Sequence, residues 1–547
     1  MASALFEELL RSRGLLDPVT RAAFLAPDYE AMKHDPYLLP DMEPAVQRLQ
    51  RARDQQELVY IYGDYDIDGL TATTLLLEAF KAFGIRTEAF IPNRFVEGYG
   101  LAASAITQLA ERGAQLIVTV DCGSLSHAEI THANELGVDV IVTDHHSVAE
   151  TMPSAVATIN PKRPDHAYPF IDLAGVGVAF KLVQALQQRL DGLPIGQEKW
   201  LLDLVALGTV CDVVTLVDEN RANAFWGLRV MHRTRRVGIR ALAAVAGLKA
   251  QELTARSLGF VLGPHLNAAG RLETAQLSLD LLTTTDPTKA LEIAYQLHDM
   301  NTSRRTEQDR IAREAAEQAE RFADHPVLVL SDPSWSHGII GIVAAKMLER
   351  YGKPTFVLQE MGEESKGSAR SYGDFSAVDG IHAVEQWLTR GGGHKLAAGV
   401  TLPTANIPKF REAINEFYRS LQLTDQLRHL QPMADARVND FRHVSPALIA
   451  ELKQLEPFGH GNPSPVFHLP GMTVLERRLM GKEGQHVKLK VCDASRRPFS
   501  VIGFQLAEKV TADAGDVVDL WVELIENEWR GTVSIEGRLL RAEPVEN

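Results

Sequence analysis

Residues 58–69 read LVYIYGDYDIDG. Leu58–Tyr62 is a run of aliphatic and aromatic residues, the pattern of a strand buried on both faces. Gly63 ends it, Asp64, Asp66 and Asp68 follow, and Gly69 closes the turn. Thr71–Phe83 then reads as a helix stopped by Gly84. Three carboxylates at one strand-to-helix corner repel one another and, left bare, would be driven to take up protons. A divalent cation with oxygen ligands keeps them ionised. The plain alternative is a solvated acidic turn that caps the helix.

Outward from this corner the alternation continues. Thr87–Ile91 reads as a strand, Ala103–Arg112 as a helix, and Gln115–Val120 as a buried strand that ends in Asp121, Cys122 and Gly123. Helix Ser126–Leu136 leads to a strand at Val138–Thr143, which ends in Asp144, His145 and His146, and a further strand covers Ala155–Asn160. This is the pattern of an α/β fold with a doubly wound parallel sheet. Ligands of such sheets bind beyond the carboxyl ends of the strands. Three separate strands deliver acids or histidines there, a stronger signal than any one short motif. Helices at Val178–Leu190 and Lys199–Leu207 follow, the second leading to Cys211 and Asp212.

The remainder falls into five segments. Residues 1–54 are a proline-broken helical lead-in, expected to pack on the first domain, and 55–286 form the parallel-sheet domain. Within the latter, LGPHLNAAGRL at Leu262–Leu272 has the Gly, Pro and Asn content of a shaped loop. Residues 287–323 are a long polar connecting helix. Residues 324–429 are a smaller α/β domain that carries GSARS (Gly367–Ser371) and GGGHKLAAGV (Gly391–Val400). Fork-shaped donors and close-approaching glycine backbone suit a phosphate cradle, although a triple glycine is more often a plain flexible loop. Residues 430–547 hold about five short strands, Met472–Leu479, His486–Cys492, Pro498–Phe504, Val517–Ile525 and Gly531–Leu540, the pattern of an OB-like β-barrel. Lys482, Lys488, Lys490, Arg496 and Arg497 with Phe499 could line a single-strand groove; scattered surface charge on a scaffold barrel is the alternative.

Composition narrows the function classes. At 547 residues, 45% hydrophobic and 23% charged, the chain is an ordinary multidomain globular protein. No apolar run approaches the roughly 18 residues of a membrane span, and MASALFEELLRSRG lacks the basic start and apolar core of a signal peptide. Cys122, Cys211 and Cys492 form no CxxC pair, which fits the cytoplasm and argues against structural zinc or a disulfide scaffold. The net charge of −15 does not exclude nucleic acid, because binding depends on local basic patches.

GDYDIDG, VDCG, TDHH and GTVCD, followed by LNAAGR, GSARS and GGGH, resemble in this order the DHH phosphoesterase superfamily with its DHH-associated (DHHA1) domain, and within it the RecJ family. The resemblance implies a DHH catalytic domain, a DHHA1 domain, and metal-dependent 5′→3′ exonuclease activity that degrades single-stranded DNA in recombination and repair. It implies two divalent cations, Mn²⁺ or Mg²⁺. Asp66 and Asp68 match the first-motif ligands, Asp121 the bridging acid, His145 and His146 the triplet histidines, and Asp212 the last acid, while Asp144 supports the histidines. Some superfamily members carry a histidine ligand where this chain has Tyr62, and Asp64 is the substitute. His265 stands where the family often has arginine; Arg271 still matches. Arg94, Ser368 and Arg370 match phosphate-holding positions, and Gly392, Gly393 and His394 the glycine-rich motif. Implied partners are a single-strand-binding protein and a RecQ-type helicase, with the chain a monomer. Rival readings keep the fold: a pyrophosphatase or a phosphodiesterase of short RNA or cyclic dinucleotides, or a non-catalytic replication scaffold.

Overall fold

The structure is a computed structural model and describes residues 3–93, 96–98, 100–529 and 532–545. The chain divides into two compact units, Met1–Leu297 with Pro432–Asn547, and His298–Gln431. The helix Pro287–Arg321 begins in the first and ends in the second. Among the described residues no helix is long and apolar enough to cross a membrane.

The first unit holds a five-stranded parallel sheet built from β1 (Val59–Tyr62), β2 (Thr87–Phe90), β3 (Leu116–Val120), β4 (Asp139–Thr143) and β5 (Ala157–Ile159), in the order β2-β1-β3-β4-β5. Residues of β1, β3 and β4 are buried almost throughout, because helices cover both faces. Tyr60, Ile117 and Val140 share one core with Ile106, Leu109 and Ile130 from the helices Ala103–Glu111 and His127–Glu135. Helices Ile67–Phe83 and Gly175–Gln187 pack against each other and on the opposite face. Strand order reverses between β1 and β3, the switch point at which doubly wound sheets bind ligands.

Pairing register decides which residues meet at that edge. Tyr62 lies opposite Thr119, Val120 opposite Thr143, and Thr143 opposite Ile159. Counting on from these pairs, Asp64, Asp121, Asp144 and Asn160 form one row just past the strand ends.

Two expectations for this unit are corrected. LGPHLNAAGRL is helical: a π-turn at Leu258–Leu262 runs straight into an α-helix at Gly263–Leu272. Pro264 stands at the junction of the two, with no amide to donate back into the ladder where the π-turn ends. The glycines serve close packing, since a Cβ at Gly263 would stand 2.9 Å from Cys211 Sγ and one at Gly270 2.8 Å from the Tyr65 carbonyl. The N-terminal lead-in packs only in part on the parallel-sheet domain. Helix Met42–Asp54 does so, with Arg48 bonding Asp139 at 2.5 Å. Helix Ala4–Ser12 instead buries Leu5, Phe6, Leu9 and Leu10 in the core of the C-terminal barrel.

That barrel consists of five strands, Phe467–Met480, His486–Cys492, Pro498–Gly503, Val517–Trp529 and Thr532–Pro544, closed by pairing of the first with the fourth. Alternation sends Val487, Leu489 and Val491 inward and Lys488 and Lys490 outward. Phe499 is not a groove residue. It is 8% exposed and stacks on Phe441 in the barrel core.

The second unit holds a mixed sheet of β6 (Leu328–Asp332), β7 (Thr355–Met361), β8 (Glu364–Arg370), β9 (Arg390–Gly393) and β10 (Ala397–Pro403), in the order β6-β7-β8-β10-β9. The triple glycine is therefore an edge strand rather than a flexible loop. A Cβ at Gly391 would stand 2.5 Å from Ile381 Cγ2, so only glycine lets the neighbouring helix Ala377–Ala383 approach.

Candidate active site

The acidic corner folds as a cap. Asp66 is the N-cap of helix Ile67–Phe83 and accepts the amides of Asp68 and Gly69 at 2.9 and 3.2 Å. Asp66 is thus a half-buried helix cap, while Asp64 and Asp68 are only 3% and 1% exposed. Asp68 accepts the amides of Gly175 and Val176 at 2.6 and 2.9 Å, the first turn of helix Gly175–Gln187, where the positive end of the helix favours a carboxylate. Asp121 leaves β3 in the left-handed region, φ 62, with its amide on the Thr143 carbonyl. His145 and His146 follow β4. Asp212 caps the C-terminus of helix Leu202–Cys211.

These residues converge. Ligand atoms of Asp64, Asp66 and Asp121, of Asp68, His145 and Asp212, and of Asp121, His145 and His146 form three groups, each within 4.8 Å. His145 Nε2 lies 3.1 Å from Asp121 Oδ1, 3.6 Å from Asp212 Oδ2 and 3.8 Å from Asp68 Oδ2. Among the described residues neither His145 Nε2 nor Asp121 Oδ1 finds a hydrogen-bond partner, although both are buried. Buried polar atoms are almost always satisfied, and two acceptor-bearing atoms facing each other in this way fit a cation. Carboxylate and imidazole donors suit Mn²⁺ or Mg²⁺ rather than a thiolate-binding metal. Burial and the nearby carboxylates push the thiols of Cys122 and Cys211 up, so neither offers a thiolate.

The electrostatics point the same way. Burial, then the charge of Asp66, raises Asp68 to about 7. Burial and neighbouring carboxylates raise Asp121 and Asp212 well above the usual range. So many acids cannot ionise together at neutral pH without a counter-cation. Burial, reinforced by His146, lowers His145 to about 3, which keeps its imidazole neutral and able to ligate. Asp144 has a different task. Burial alone would raise it, but the hydrogen bond and charge of His146 hold it well below the usual carboxylate range. It accepts the amides of Ser124, His145 and His146 and lies 2.8 Å from His146 Nδ1. The latter contact fixes the His146 ring.

Sequence motifs did not mark several residues that shape the centre. A Cβ at Gly175 or Gly208 would stand 2.9 Å from an Asp68 carboxylate oxygen. Buried Asn160 donates to the His146 carbonyl at 2.9 Å and to Ser124 Oγ at 2.8 Å. Lys162 acts electrostatically on both Asp212 and His145. Register within the parallel sheet would have found Asn160, and Gly208 opens the GTVCD motif without its role being marked; nothing local marks Gly175 or Lys162. Tyr62 is fully buried, donates to the Gly100 carbonyl at 3.2 Å and stays outside the cluster. His265 is 4% exposed with Nδ1 on the Val261 carbonyl at 2.6 Å. Arg271 lies on the helix that packs against Tyr65. Arg94 lies outside the described residues.

The second unit places the other candidates together. Arg370 pairs with Ala397, Ser368 with Gly399, and Gly399 with Gly392. Ser368 and Arg370, two apart, share one face, and Arg370 Nη1 bonds Ser368 Oγ at 3.1 Å. The side-chain-free positions 392 and 399 leave open floor beside them. Gly341, in the first turn of the helix Ile340–Tyr351, comes so close that a Cβ there would stand 3.0 Å from Ser368 Oγ. A guanidinium, a hydroxyl and a helix N-terminus together suit a phosphate. His394 is exposed at the hairpin end, its amide on the Ala397 carbonyl at 2.8 Å.

Comparison with known proteins agrees with this architecture. Residues 58–209 match the DHH family N-terminal domain, 324–420 the DHHA1 domain and 435–540 the RecJ OB domain. The single-stranded-DNA-specific exonuclease RecJ of Bacillus subtilis is 36% identical over 532 residues, covering 96% of this chain and 66% of that protein. That of Escherichia coli is 35% identical over 520 residues, covering 91% and 89%. The crystal structure of Thermus thermophilus RecJ in complex with Mn²⁺ superimposes with a TM-score of 0.85 at 31% identity, over 100% of this chain and 76% of that one. The Mg²⁺ complex of the same protein gives 0.79 at 30% identity, over 100% and 75%.

Proposed function

The chain belongs to the RecJ family, and from that membership we propose that it hydrolyses single-stranded DNA from the 5′ end and releases 5′ mononucleotides. The ligands are Asp64, Asp66, Asp68, Asp121, His145 and Asp212, with His146 beside them. The observation that carries this reading is the buried pair Asp121 Oδ1 and His145 Nε2, 3.1 Å apart and without hydrogen bonds among the described residues, ringed by further carboxylates. Two divalent cations, when bound, supply an activated water and offset charge on the phosphate and the leaving 3′ oxygen.

The chain's own groups do the rest. The amides of Gly175 and Val176 fix Asp68, Asp144 fixes His146, and burial keeps His145 neutral. In the second unit, Ser368 and Arg370 with the backbone of Gly392 and Gly393 and the side chain of His394 grip the terminal 5′ phosphate. Arg94 and Arg271 contact phosphates too. Phosphate contacts read no bases, so sequence preference is weak. The barrel supports a polymeric substrate over a pyrophosphate or a short dinucleotide. In the cell the chain works in the cytoplasm as a monomer, beside a single-strand-binding protein and a RecQ-type helicase.

The test is a digestion series with Mn²⁺ or Mg²⁺ on linear single strands labelled at either end, on duplexes and on circles. Steady release of mononucleotides from the 5′ end of linear single strands is expected. Cleavage of circles, or release from the 3′ end, would overturn the reading.

A further inference from the structure

The strand Ala157–Ile159 runs out beside the proposed metal centre into Asn160, Pro161, Lys162 and Arg163. This loop is pinned on several sides. Asn160 Nδ2 donates to the His146 carbonyl and to Ser124 Oγ, and Asn160 Oδ1 accepts the Lys162 amide at 2.8 Å. The Pro161 carbonyl lies 2.9 Å from His166 Nε2. Arg163 turns back into the fold, where its guanidinium meets Asp41, Asp165 and the Thr158 carbonyl. Asn160, Pro161 and Arg163 are all buried, whereas Lys162 is exposed. The loop therefore holds an open cation at the carboxyl edge of the sheet, where doubly wound folds bind ligands.

Charge gives this cation its task. It reaches both Asp212 and His145 electrostatically, yet among the described residues it forms no ion pair with Asp212 or with any other carboxylate. Asp64, Asp66, Asp68, Asp121 and Asp212, all ionised, carry one negative charge more than two divalent cations neutralise. A phosphodiester brings a further negative charge, and at a buried site such an excess is felt strongly. An ammonium on a flexible stem offsets it as a point charge, hydrated at the rim until the phosphate arrives. We propose that Lys162 holds a non-bridging oxygen of the scissile phosphate on the Asp212 and His145 side of the centre, and so contacts the substrate directly. This rests on the exonuclease reading, because that reading supplies the phosphodiester.

The test is equilibrium binding, in saturating Mn²⁺, of two 5′-phosphorylated single strands whose first internucleotide linkage resists hydrolysis. In one, a methylene replaces the 3′ oxygen and the phosphonate keeps its charge; in the other, a methylphosphonate makes the linkage neutral. Lys162→Met should weaken binding of the charged strand about tenfold or more, the scale of a hydrogen bond to a charged group, and leave the neutral strand unaffected. Lys162→Arg should keep most of the affinity, and Mn²⁺ affinity without a strand should not fall in either variant. Equal weakening of both strands, or of neither, overturns the contact. A loss of Mn²⁺ affinity that accounts for the weakening overturns it too, by placing the lysine among the groups that tune the ligands. The two readings fail separately. A charge-dependent difference in a chain that releases no nucleotides would sink the exonuclease and keep the contact. Nucleotide release without that difference would do the reverse.

Discussion

The amide of Gly175 donates to Asp68 Oδ2 at 2.6 Å, and a Cβ at Gly175 would stand 2.9 Å from that same oxygen and 2.8 Å from Asp121 Cβ. Two carboxylates of the proposed metal centre therefore rest on one glycine. Gly175→Ala should lower Mn²⁺ affinity about tenfold or more while the chain stays folded, as titration calorimetry and circular dichroism would show. Unchanged affinity would mean that the carboxylates can move aside freely.

The acids of the centre set a pH dependence. Asp68, Asp121 and Asp212 are all raised in the folded state, so the folded form holds protons that the unfolded form has released. Their stabilising contribution is complete below the ordinary carboxylate range and is lost as pH rises, that of Asp68 through about 7. His145, lowered from 6.5 to about 3, acts in the opposite sense, adding stability as pH rises between those values. Above 6.5 the acids' trend remains, joined in the same sense by His146, which burial would lower but the hydrogen bond and charge of Asp144 raise. In EDTA, Tm should fall as pH rises from 6.5 to 8, and saturating Mn²⁺ should abolish the fall. A rising Tm over that interval without metal would contradict the assignment.

Asp121 faces His145 and every acid group around it. Asp121→Asn should abolish Mn²⁺-dependent hydrolysis. It should also raise the Tm of the metal-free chain at pH 8, because one buried repelling charge is gone. Retained nucleotide release by the variant would remove Asp121 from the ligand set.

In the second unit, Arg370→Ala removes the guanidinium that bonds Ser368 Oγ. KM should rise about tenfold or more on 5′-phosphorylated single strands, the scale of a charge-assisted hydrogen bond, and much less on 5′-hydroxyl strands. Mn²⁺ affinity should not change. Equal effects on both substrates would show that Arg370 does not sense the terminal phosphate.

Lys181 is fully buried, bonds Glu219 at 2.7 Å and the His34 carbonyl at 2.6 Å, and lies on the helix whose first amides hold Asp68. Lys181→Met leaves Glu219 buried without its cation and should cost about 3–5 kcal/mol. Adding Glu219→Gln should recover part of that loss in urea denaturation. No recovery would place the cost in packing rather than charge.

Much of the fold was legible locally. The five parallel strands and their helices follow from hydrophobic runs bounded by Gly and Asp, and the barrel strands from alternation, because side-chain period is a property of a few neighbouring residues. The ordered acids and histidines at strand ends marked the centre for the same reason: in a parallel sheet, strand ends lie on one edge. Features that depend on what approaches from elsewhere were not legible. The glycine-rich stretch 263–272 is a helix because its glycines face Cys211 and Tyr65, the triple glycine is a strand because Ile381 presses on it, and Phe499 is core because Phe441 stacks on it.

The sequence by itself determined the order of elements and the kinds of ligand brought to the parallel sheet's carboxyl edge. Only the tertiary structure decided that the Ala4–Ser12 helix completes the barrel core and that Gly175 and Gly208 make room for Asp68. Local pattern fixes which way a side chain points from its own backbone, whereas burial and close approach are set by segments hundreds of positions away, and no short window contains them.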